Sequence, residues 1–181
     1  MSSLVSTGPR RGAVMTEHTF HAMADSQQPP SFAVSDIYHA LNDESAGLAF
    51  LKDAEVSDVI CYHSEGSGSH YYLMLNVRLP QQTGAHNVVC ARAERVPGTQ
   101  ERAFFGIVRR APAACDNIKF SYSAPVIRGP GDDLIMMLRC NSVRLIQAVY
   151  LFGIIHTHSQ EYHATSLNSS WFAAASVFCV I

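Results

Sequence analysis

His70 follows the run Ser64-Glu65-Gly66-Ser67-Gly68-Ser69 and opens an alternating apolar stretch, which places an imidazole at the start of a strand. Imidazole is the side chain that exchanges a proton near neutral pH. The plainer reading is a half-exposed strand-end residue, with His63 as its nearby competitor. Toward the other end of the chain, Asn168-Ser169-Ser170 precedes Trp171-Phe172-Ala173-Ala174-Ala175, and either Asn168 or Ser169 is placed to cap an apolar helix. His156, His158 and His163 have a superficial metal spacing. They lack a firm fourth ligand, and the first two fall at a helix end where imidazolium complements the dipole. Asp132-Asp133 after Gly129-Pro130-Gly131 has the charge to bind a cation, yet helix capping accounts for both carboxylates. Gly66 and Gly68 are too few for a phosphate loop. The chain carries neither a Gly-x-Ser-x-Gly elbow nor a His-Glu-x-x-His helix. No metal and no cofactor is expected.

The elements that would position these residues follow from periodicity. Residues 1–32 are rich in Ser, Thr, Gly, Gln and Pro and close on Pro29-Pro30, which predicts a disordered tail, with a single folded domain over 33–181. Ser35 or Asp36 can cap a helix with Ile37, Leu41, Leu48 and Leu51 on one face, split near Asn42-Asp43 and Gly47. Strands are predicted over Val56–Tyr62, Tyr71–Leu79 and Asn87–Arg95, with shorter ones over Phe104–Val108 and Ile118–Tyr122. The clearest period of two sets Leu73, Leu75, Val77 and Leu79 on one face, and Tyr72, Met74, Asn76 and Arg78 on the other. A helix capped by Asp132 or Asp133 is predicted to run to about His156. A second apolar helix follows Asn168. The expected fold is α+β: a small antiparallel sheet with an N-terminal helix and two C-terminal helices packed on it.

Composition narrows the function classes. Of 181 residues, 48% are hydrophobic and only 15% charged, which is far too apolar for a disordered chain. A net charge of −2, with no basic run longer than Arg10-Arg11 and Arg109-Arg110, argues against nucleic-acid binding. Leu145–Ile155 is too short for a membrane span. The five cysteines form no Cys-x-x-Cys pair and leave one over, which suits reduced thiols. With no apolar leader segment in the first residues, the expected location is the cytoplasm. Acidic residues nearly vanish after Asp133, leaving Glu161, so the apolar end must be buried or must dock on a partner.

Three segments carry a resemblance. Tyr162-His163-Ala164-Thr165-Ser166-Leu167-Asn168-Ser169-Ser170-Trp171-Phe172-Ala173, together with His70-Tyr71-Tyr72 and Ala93-Glu94-Arg95, resembles an uncharacterised family of basidiomycete fungal proteins that ends in a Gln/Asn-Cys-Tyr-Trp-Phe-Ala motif. A strand-borne His followed by a Cys at the start of an apolar helix is also similar to circularly permuted papain-like folds of the NlpC/P60 and lecithin:retinol acyltransferase kind. That resemblance implies acyl transfer or amide hydrolysis by a thiolate at a helix N-terminus paired with an imidazole. Here Ser169 stands at the position of the family Cys. The resemblance then implies Ser169 as nucleophile, His70 as base, and Asn168 or a helix-start amide as oxyanion donor.

The leading expectation is a degenerate relative of such hydrolases or acyltransferases, inactive or only weakly active, acting as an intracellular accessory or binding protein. The alternative is a non-enzymatic interaction domain that binds a protein partner or a second copy through its apolar C-terminal helix. An active serine hydrolase is the third reading.

Overall fold

The structure is a computed structural model that describes residues 16–43, 48–65, 69–80, 86–98, 112–163 and 168–180. Its centre is a six-stranded antiparallel sheet in the order β1-β5-β4-β3-β2-β6. Four strands, β2 (Glu55–Ser64), β3 (His70–Arg78), β4 (Val88–Pro97) and β5 (Ala114–Ser121), form a meander in which each pairs with the next. Two edge strands complete it. β1 (Phe32–Ala33) pairs with β5, and β6 (Asp133–Arg144) returns to pair with β2. The α+β class read from the sequence is the observed one.

The alternation on β3 decides which side of the sheet carries helices. Leu73, Leu75, Val77 and Leu79 point into the main core with Ile37, Leu41, Leu48 and Leu51, all buried. The same core takes Phe20 and Ala24 from α1 (Glu17–Ala24), Leu145, Val149 and Phe152 from α4 (Leu145–His158), and Phe172, Ala173 and Val177 from α5 (Ser169–Val180). α2 (Val34–Asn42) supplies Ile37 and Leu41, and a 3-10 turn (Ala49–Leu51) follows it, so the split expected within this helix is present. Tyr72 and Met74 leave β3 on the opposite face. There they join Ile60, Tyr62, Cys90 and Ile127 in a second, smaller cluster closed by the short α3 (Ala124–Ile127).

Two sequence expectations are corrected. The predicted 1–32 tail is too long, because α1 occupies part of it and buries Phe20 against Phe50 and Phe120. Thr16 caps α1 by accepting the Thr19 amide. The long helix predicted from Asp132 or Asp133 to His156 is two elements. Its first half is β6, whose ladder to β2 runs from His63↔Asp133 to Glu55↔Arg144. Ser142, at φ 63°, sits where the register shifts between Asp58↔Arg139 and Val56↔Val143, and beyond it Gln147 Oε1 accepts the Arg144 amide at 2.8 Å. Pairing with β2 overrides the helical preference of Leu134–Leu138. The strand predicted over Phe104–Val108 lies outside the described residues.

The C-terminal helix starts where its capping signal predicts. Its Phe172, Ala173 and Val177 are in the core. Among the described residues no helix is long and apolar enough to cross a membrane.

Candidate functional site

β3 brings His70 to the mouth of the sheet, and β4 meets it with a carboxylate. Tyr72 pairs directly with Glu94, so His70 lies diagonally across from Glu94 on the same face. His70 Nε2 is 3.1 Å from Glu94 Oε2. Arg92 donates to that same oxygen from Nη2 at 2.7 Å and from Nε at 3.1 Å, and Lys119 Nζ is 3.4 Å from the other. Burial by itself raises the Glu94 carboxyl. The His70 hydrogen bond and the Arg92 and Lys119 charges outweigh that and hold it at about 2. A carboxylate so tightly held is a permanent anion and a poor proton acceptor.

The same network fastens the chain between α3 and β6 across this face. Arg92 Nη1 donates to the Ile127 carbonyl at 2.9 Å, and its guanidinium lies 3.8 Å above the Tyr72 ring. Tyr72 donates its hydroxyl to Asp132 Oδ2 at 2.5 Å, and the Gly129 amide donates to that oxygen at 2.7 Å. Asp132, expected to cap a helix, closes this crossing segment instead. Burial, aided by the Asp132 hydrogen bond, drives the Tyr72 phenol far above its ordinary range.

Ser169 lies at the same end of β3 but is bonded differently. Its hydroxyl accepts the Tyr71 amide at 3.1 Å, and the residue is buried. Tyr71 packs with the main core, whereas the His70 ring stacks over Tyr72 of the smaller cluster. Successive strand side chains leave on opposite faces, so the His70 imidazole projects away from the face that carries α5. Among the described residues no hydrogen bond joins His70 to Ser169. Asn168 accepts the Trp171 amide at 3.2 Å through Oδ1, the helix-capping geometry its position predicts.

Sequence reasoning missed a buried ionic group on the helix-bearing face. Arg95 and Asp116 are direct partners across β4 and β5, joined by Nε to Oδ1 at 2.7 Å and Nη2 to Oδ2 at 2.6 Å. Both side chains are essentially inaccessible. His156 of α4 reaches the same carboxylate, Nδ1 to Oδ2, at 2.9 Å, and the guanidinium sits 5.2 Å from the Trp171 ring centre on α5. One polar cluster thus ties both C-terminal helices to the sheet. The available signal was a charge at the inward-facing positions, Arg95 after Val89, Ala91 and Ala93, and Asp116 before Ile118 and Phe120, but their partnership depends on register.

The histidines with superficial metal spacing are dispersed: His156 binds Asp116, and His163 binds Glu161 at 3.1 Å. Among the described residues one other group, His63, Glu65 and Asp133, brings three ligand atoms within 4.8 Å of one another. At the far end of the sheet, Glu55, Asp58, Arg78, Arg139 and Cys140 help to line an open groove of about 430 Å³. None of His70, Asn168 and Ser169 borders it. Compared with protein-family models, curated proteins and solved structures, the chain matches none.

Proposed function

We propose that this chain is a non-enzymatic interaction domain that pairs with a second copy of itself through β6. The observation that carries the reading is the exposure of Leu134, Ile135, Met136 and Met137, at 56, 54, 37 and 48%, on a twelve-residue strand at the edge of the sheet. An apolar edge offers unpaired backbone groups and side-chain area together, the combination that invites another strand. A bulge between Leu134 and Met136, opposite the Tyr62–Cys61 step, leaves Met136–Arg139 as the unbroken pairing run.

Charge selects the occupant. β6 is acidic at its start, with Asp133 beside Asp132, and basic toward its end, with Arg139 and Arg144. Antiparallel pairing of two copies about a two-fold axis sets the acidic end of each against the basic end of the other, and parallel pairing sets like against like. The two sheets would then continue into one, with helices on a common side.

Sedimentation velocity over a dilution series tests this. The wild-type chain is expected to pass from monomer to dimer as concentration rises, and Met137→Lys, at an exposed position, to remain monomeric. A wild type that stays monomeric overturns the reading, and so does a dimer that Met137→Lys leaves intact.

The hydrolase-remnant reading has one observation in its favour: α5 opens against the start of β3, where Ser169 bonds the residue next to His70. Labelling by a fluorophosphonate that Ser169→Ala abolishes would support residual serine chemistry. Labelling that is absent, or unchanged in that variant, removes it.

A further inference from the structure

We propose that His63, Glu65 and Asp133 bind a divalent transition-metal ion, with zinc as the best match, at the end of the β2–β6 pair. His63 and Asp133 are direct cross-strand partners. Glu65 follows His63 by two residues, so the chain returns its side chain toward the same side as it leaves β2. The three ligand atoms lie within 4.8 Å of one another. An ion at roughly 2.0–2.2 Å from each draws ligand atoms to about 3–4 Å apart, a small adjustment for two exposed carboxylates on flexible stems.

The surroundings suit a ligand histidine. His63 Nε2 is 2.8 Å from the Ser69 hydroxyl, a partner that can take the Nε2 proton and leave the Nδ1 lone pair free. The Tyr71 ring, 4.6 Å between centroids, flanks the imidazole and limits its rotation. Among the described residues no ion pair neutralises Glu65 or Asp133. Two converging carboxylates repel unless a cation lies between them, and together with a neutral imidazole they balance the charge of a divalent ion. The imidazole argues against calcium or magnesium, which prefer all-oxygen sites. Three protein ligands leave one tetrahedral position for water or for a donor from another molecule.

The group shares Asp133 with the β6 edge, whereas His63 lies on β2 and Glu65 just beyond it, so His63→Gln tests the metal without touching that edge, and the full chain is used. Titration calorimetry with zinc chloride, and cobalt(II) absorbance as a spectroscopic probe, are expected to show one site. His63→Gln and Asp133→Asn should each weaken it at least tenfold. His163→Gln, which alters only the exposed Glu161–His163 contact, should leave it unchanged. Circular dichroism of each variant confirms that the fold persists. Absence of binding overturns the proposal, and so does binding that the His63 and Asp133 substitutions leave intact, since the ion then sits on other histidines.

Discussion

Arg95 and Asp116 face each other across β4 and β5 with two hydrogen bonds of 2.7 and 2.6 Å, fully inside the protein. Breaking such a pair strands a charge in the core and costs about 3–5 kcal/mol, whereas replacing both partners with apolar residues is often tolerated. Asp116→Asn should therefore lower urea-measured stability by several kcal/mol. The double change Arg95→Met with Asp116→Leu should recover most of that loss. A single variant as stable as the wild type would show that the pair contributes nothing.

Glu94 supplies a pH dependence with a definite sign. Its carboxyl is held at about 2 in the folded chain against 4.5 ordinarily, so its stabilisation is complete above about pH 4.5 and is lost as the pH falls toward 2. The difference corresponds to about 3 kcal/mol. Denaturation curves between pH 5 and 2 should show this slope in the wild type and a flatter one in Glu94→Gln.

Tyr72 is expected to stay protonated through alkaline titration. The wild type and Tyr72→Phe should give the same tyrosinate absorbance at 295 nm up to about pH 11, where ordinary phenols have already ionised. The variant also loses the hydrogen bond to Asp132, a cost of about 1 kcal/mol.

Phe20 tests where the fold begins. It is buried in the core from a helix inside the segment whose composition suggests a tail, so Phe20→Ala should cost about 3–5 kcal/mol in chemical denaturation. A truly peripheral α1 would give almost no change.

Asn168→Ala should cost about 1 kcal/mol through the lost cap on α5, and Asn168→Asp far less, because aspartate caps equally well. Thermal unfolding of the two variants separates these outcomes.

The meander was legible because β2 to β5 have turn residues between them and β3 alternates cleanly, with each face meeting a different core. β6 was hidden for a physical reason. An edge strand exposed on both sides need not alternate, and Leu134-Ile135-Met136-Met137-Leu138 runs into a true helix that shares its apolar character. Within residues 1–32 the polar composition masks the anchors Phe20 and Ala24. In the candidate site, the helix cap at Asn168 was readable locally. The pairings His70–Glu94, Arg95–Asp116 and His63–Asp133 each join different strands, and only register reveals them.

The two outer strands have a history different from that of the four between them. β2 to β5 can zip together one hairpin at a time, each step closing a modest loop. Phe32 must find Ile118, and Asp133 must find His63, across long stretches of chain. Loop closure of that kind comes late in folding and is the first to be undone. Both margins are therefore expected to form last and open first, an order that hydrogen exchange at the β6 amides against those of β3 and β4 would read.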